Sequence, residues 1–182
     1  MADRPPGYRP PARLLHWITA LAVLLMIPAG IVMTREGIPR PLQDTLFLFH
    51  KNTGVLLVPV ILARILYRLA HRPPPLPLSM PAWQRRAAGA SHAMLYLLLV
   101  IMPVSGFVRV RAGGFPVELL DWLGAGPWIA KSERVAETAQ AIHFTGALVL
   151  IAVLTVHVAA ACHHALIRRD GVWSRMWPVG GG

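Results

Sequence analysis

The sequence predicts an all-α protein, a bundle of four transmembrane helices with both termini on the cytoplasmic side. Three observations lead there. Of the 182 residues, 55% are hydrophobic and 14% charged, where a soluble domain usually carries about 25% charged residues. The apolar residues collect in four long blocks, each near the ~20 residues that cross a bilayer as a helix. The basic residues divide unevenly between the two sides those crossings define.

The first segment runs from Leu14 to Met33 with Pro28 inside it, and the second from about Leu46 to Leu69. The third, from about Ser91 to Val110, holds Pro103 and Gly106; the fourth, from about Ala136 to Leu166, is the longest and must tilt or protrude. Internal prolines are tolerated where packed neighbours satisfy the freed carbonyls. His71 to Pro81, with Pro73, Pro74, Pro75 and Pro77, reads as an extended, solvated connector. In the loop from Arg111 to Val135, residues Val117 to Leu123 suit a short helix lying on the interface. The pattern shows no internal repeat and no second domain, so residues 1–182 are expected to form one membrane unit. The N-terminal apolar run continues for about 20 residues without a small-x-small cleavage site, which argues against a removable signal peptide.

Orientation follows from Lys and Arg. The side with both termini and the Pro-rich connector has eleven basic residues, including Arg4, against Asp3 and Asp170, a net of +9. The other side has seven, including Arg35, Arg40 and Arg109, against six acids, a net of +1. The termini are therefore expected in the cytoplasm. The overall charge of +10 is thus mostly an insertion signal, and no basic, aromatic-interleaved soluble segment exists to bind nucleic acid. The single cysteine, Cys162, excludes an internal disulfide and any cysteine-cage metal site.

Against this apolar background four histidines stand out: His16, His50, His143 and His157. His143 and His157 are fourteen residues apart on one segment. At ~100° and ~1.5 Å per residue, they share a face to within about 40° and lie roughly 21 Å apart. Alternating helix directions pair His50 with His143 at the far side and His16 with His157 toward the termini. Two imidazoles facing each other supply the axial positions a six-coordinate haem leaves open, so two haems are expected. Small residues one turn away, Ala20, Gly54, Gly146, Ala160 and Ala161, leave room for a porphyrin edge. Arg64, fourteen residues after His50, returns to nearly the same face at the termini-side depth, where it either pairs with haem propionates or snorkels to headgroups. His164 rivals His157, lying seven residues on and about 20° away. His163 points off that face, His71 is solvated, and His92 suits an interface or quinone contact.

The ordered set of motifs resembles the bacterial cytochrome b561 family over nearly the whole chain. It comprises Arg13-Leu14-Leu15-His16-Trp17, His50-Lys51-Asn52-Thr53-Gly54 and Arg64-Ile65-Leu66-Tyr67-Arg68 before the prolines. Ala90-Ser91-His92 and His143 followed by His157 through His164 complete it. The resemblance implies an inner-membrane, multi-pass electron-transport protein with two haem b groups, one on His16 and His157 and one on His50 and His143. It favours His157 over His164, and makes His164 a quinone candidate. It implies an oxidoreductase exchanging electrons between ubiquinone and a periplasmic donor, which in one branch is superoxide. Lys51, Lys131 and Arg134 could steer that anion, or contact headgroups or propionates instead. Two other readings remain: a cytochrome b subunit anchoring a hydrogenase or dehydrogenase, and a His-lined metal-ion transporter. No proteinaceous nucleophile, carboxylate pair or phosphate loop occurs in the membrane segments.

Overall fold

A computed structural model describes residues 7–77 and 80–177 of the chain. Asp3 and Arg4 of the charge comparison, and positions 78 and 79 of the Pro-rich connector, lie outside the described residues. The described residues form helices and loops only. Helix α1 spans Pro10–Met33, α2 Arg40–Ala70, α3 Ala82–Ala112, the short α4 Glu118–Trp122, and α5 Glu133–Cys162.

All but α4 are long and apolar enough to cross a membrane. Each begins three to nine residues before the apolar block marks its start. The difference has a simple origin: hydropathy reads only the lipid-buried stretch, whereas backbone hydrogen bonding carries the helix into the interface. Proline occupies the first turn of α1 and of α2, where its fixed φ suits a helix start and its missing N–H costs nothing. Ser132 caps α5 by accepting from Val135 N–H.

Helix α1 packs along α2 and α3 along α5, and the two pairs meet chiefly through α2 and α3. Leu57, Ile61 and Leu99 form a small buried core with Ala22, Val23, Met26 and Ile65 against it. Most large apolar side chains face outward instead: Leu21, Leu56, Leu66, Leu148 and Val156 are all more than half exposed. Outward apolar faces of this extent fit a lipid solvent, where packing between helices is not driven by water.

After Cys162 the fourth crossing continues as a π-helical stretch, His163–Arg168. Arg169 then takes a left-handed conformation (φ 50°) and Gly171 another (φ 79°), turning the chain back. The tail is stitched to the termini end of the bundle. Trp17 donates its indole N–H to Met176 O at 2.9 Å. Arg175 donates to Pro75 O at 2.7 Å, and Tyr8 N–H to Arg175 O at 3.1 Å. Trp17 packs edge-on against Trp173 and Trp177, which tilt against each other, in an aromatic cluster over this junction.

At the opposite end, α4 is held by charge. Lys51 donates to Glu118 at 2.5 Å and to Pro116 O at 2.9 Å, and buried Arg111 donates to Asp121 at 2.5 Å. Asn52 both donates to Glu118 and accepts from Leu119 N–H. Trp122 and Trp128 on this loop are strongly exposed, as aromatic side chains at a headgroup boundary are.

Candidate cofactor site

Two histidine pairs face each other across the bundle. The rings of His50 on α2 and His143 on α5 have centroids 6.2 Å apart. Those of His16 on α1 and His157 on α5 are 6.4 Å apart. Both pairs stand edge-on, and both spacings are close to what a shared metal requires. Metal–imidazole bonds are about 2.0–2.1 Å and a ring nitrogen lies roughly 1.1 Å from its centroid. One iron between two imidazoles thus places their centroids about 6.3 Å apart.

The far pair is seated in two matching notches. His50 Nδ1 lies 3.1 Å from Met26 O, and His143 Nδ1 lies 3.0 Å from Met102 O. A carbonyl only accepts, so Nδ1 carries the proton on both rings and Nε2 keeps the lone pair. Four residues beyond each methionine stands a glycine against the ring. A Cβ on Gly30 would sit 3.0 Å from His50 Cε1, and one on Gly106 3.0 Å from His143 Cε1. Ser105 adds a contact on one side only: it donates to Ile101 O at 2.7 Å, leaving its oxygen 3.1 Å from His143 Nδ1. Around the pair lies a largely apolar cavity of about 1010 Å³, with Lys51, Arg109 and Glu118 also lining it. That is at the upper end of ligand pockets, which run to about 1,000 Å³. Gly54 and Gly146, singled out from the sequence, instead accommodate Met26 and Met102 side chains. Gly30 and Gly106 give no signal in the sequence because each lies on a different helix from the histidine it faces.

The termini-side pair is built differently. Arg64 Nη2 lies 2.9 Å from His16 Nδ1; an arginine only donates, so here Nδ1 accepts. The same guanidinium stacks over Tyr96, 5.2 Å from its centroid. His92 joins the group, its ring 5.6 Å from that of His157. His16 and His157 come level because α5 and its π extension run eleven residues past His157, whereas α1 starts six residues before His16. His164 is elsewhere: its Nδ1 lies 2.7 Å from Asp170. Burial raises the Asp170 pKa, but hydrogen bonds, first from His164, outweigh it and hold the carboxyl below its usual range.

The remaining basic residues scatter. Lys51 is neutralised by Glu118. Burial of Glu118 opposes ionisation, yet hydrogen bonds led by that from Lys51 keep its carboxyl below the ordinary value. The aliphatic stem of Lys131 lies beside Gly114, and Lys131 and Arg134 are both exposed. Among the described residues no three His, Cys, Asp or Glu side chains converge as a bare metal ion would need.

Comparison with known proteins agrees with this architecture. Residues 7–179 match the model of a family described as prokaryotic cytochrome b561. Cytochrome b561 homolog 2 of Escherichia coli (strain K12) is 31% identical over 175 residues, covering 96% of this chain and 93% of that protein. Cytochrome b561 homolog 1 of the same strain is 26% identical, covering 90% and 93%. A protein of Yersinia pestis named "Probable superoxide oxidase CybB" is 25% identical, covering 90% and 92%. The chain belongs to the prokaryotic cytochrome b561 family and is a multi-pass protein of the bacterial inner membrane with a haem b electron-transfer role.

Proposed function

We propose that this chain carries two haem b groups, one between His50 and His143 and one between His16 and His157. Through them it passes electrons between a donor at the α4 end and ubiquinone. The observation that carries the reading is the spacing of both ring pairs, 6.2 and 6.4 Å, each the separation one shared iron imposes. A bis-imidazole haem supplies one-electron chemistry, with a potential set by axial ligands, hydrogen bonds and burial.

The chain's own part is to hold and insulate. Met26 and Met102 carbonyls fix the Nδ1–H of His50 and His143, so Nε2 faces the interior with its lone pair. The largely apolar cavity around them offers a low-dielectric seat for a macrocycle. Arg64 offers a guanidinium to anionic groups at the other end; for His16 to ligate through Nε2, its Nδ1 must exchange Arg64 for an acceptor. With the termini cytoplasmic, as the positive-inside count argues, the α4 end is periplasmic. Superoxide is then the donor we favour, by analogy with the Yersinia pestis relative's name. His92 and His164 at the termini end are candidates for the quinone contact.

The test is direct. The purified protein should be red and carry about two haems per chain, with the sharp bands of six-coordinate b-type haem on reduction. His143→Ala should lose one haem and spare the other; loss of neither refutes the pairing. Reduction by superoxide with ubiquinone as acceptor supports the donor assignment, and no reduction under those conditions overturns it.

A further inference from the structure

A hollow of about 240 Å³ at the termini end is lined by Arg9, Arg64, Arg68 and Arg72 and, among the described residues, by no aspartate or glutamate. Among the described residues none of these arginines pairs with a carboxylate. Arg64, on the deep wall, is occupied with His16 and Tyr96. Arg68 donates to the Tyr8 hydroxyl at 3.4 Å. Arginines at the end of a membrane helix ordinarily snorkel outward, each to its own headgroup. Here arginines from the last turns of α2, from the connector just after it and from the residue preceding α1 line one concavity instead, with Tyr8, Tyr67 and Tyr96 also among its lining residues. Concentrated positive charge of this kind calls for an anion with several acceptor oxygens.

The surroundings say which anion. The hollow is far too small for a macrocycle, and Arg9 and Arg72 at its mouth are exposed. The same turns of α1 and α2 present Leu14, Ile18, Leu66 and Leu69, all more than two-fifths exposed. An anionic head beside apolar helix faces suits an anchored phosphodiester better than a free ion, and basic pockets between membrane helices take such headgroups. We propose that this hollow binds the phosphate of one anionic phospholipid, through Arg68 on α2, Arg72 just after it and Arg9 ahead of α1. The site is independent of the haem assignment.

The experiment uses haem-loaded protein in mild detergent, delipidated and then titrated with phosphatidylglycerol, phosphatidylcholine or inorganic phosphate, bound lipid being counted by native mass spectrometry. One phosphatidylglycerol per chain should bind in preference to phosphatidylcholine. Arg68→Gln/Arg72→Gln should weaken it about 30-fold, at about 1 kcal/mol per arginine and 1.4 kcal/mol per tenfold, whereas Arg86→Gln should leave it unchanged. Arg9→Gln, altering only the residue before α1, should cost about fivefold and serves if the double variant does not accumulate. Equal binding of phosphatidylcholine overturns the proposal. So does displacement of the lipid by equimolar inorganic phosphate, which would make this a free-phosphate site. A double variant with unchanged lipid binding but shifted haem potential overturns it in favour of propionates.

Discussion

Arg64 on α2 places its guanidinium 2.9 Å from Nδ1 of His16 on α1, so His16 accepts where His50 and His143 donate. The two ends of the bundle therefore treat their imidazoles in opposite ways. A cation beside one haem stabilises its reduced, more electron-rich state. Arg64→Gln should accordingly lower the potential of the proposed termini-side haem and leave that of the other proposed haem nearly unchanged. One unit charge at about 10 Å in a medium of ε about 20 is worth roughly 1.7 kcal/mol, or about 70 mV for one electron. Redox titration of the visible bands checks it; a shift confined to the other haem would contradict the placement.

Glycine at positions 30 and 106 is demanded by close approach. A Cβ at either would lie 3.0 Å from a histidine Cε1, so the ring or a helix must move. Gly106→Val should abolish the haem proposed at His143 while sparing the one proposed between His16 and His157, and Gly30→Ala should weaken retention at the same site less severely. Haem per chain, measured after purification, separates these outcomes from general misfolding, which would remove both.

The Lys51–Glu118 pair yields a prediction about pH and about encounter. The Glu118 pKa is lowered in the folded chain, so its contribution is present above the ordinary value of 4.5 and is lost as pH falls through the lowered one. The pair is partly exposed, 14% and 38% at the two side chains, so the stabilisation is under about 1 kcal/mol after screening. Glu118→Gln should remove that acid-range loss and also release the Lys51 charge. Its rate of reduction by superoxide at low ionic strength should rise severalfold, an advantage that salt removes. An unchanged rate would show that Lys51 takes no part in attracting the donor.

Trp17→Phe should cost about 1 kcal/mol, the usual worth of one hydrogen bond, because it removes the bond to Met176 O while keeping most of the ring packing. The loss should appear as easier proteolysis of the C-terminal tail, with haem content unchanged.

Much of the architecture was legible in the order of residues. Four apolar blocks gave the four crossings, and the fourteen-residue interval between His143 and His157 gave one helix serving two depths. Depth alone paired the histidines as the structure brings them together. What could not be read was whatever depends on a neighbouring helix. Gly30 and Gly106 look like ordinary small residues of membrane helices until the rings of α2 and α5 are set against them. His164 shares a face with His157 on an ideal α-helix. The π-helical stretch starting at His163 breaks that ideal register, and His164 instead meets Asp170. Lys51 reads as a free cation until α4 folds back to meet it.

The paired notches have a consequence for assembly. Helices α1 and α2 form one hairpin, α3 and α5 the other, and the seam between them is thin. Each proposed iron takes one imidazole from either side of that seam. A tetrapyrrole would then act as a rivet between two half-molecules, and maturation would end when the second rivet is driven home. Cells short of the pigment should accumulate hinged, protease-sensitive halves in place of a closed bundle.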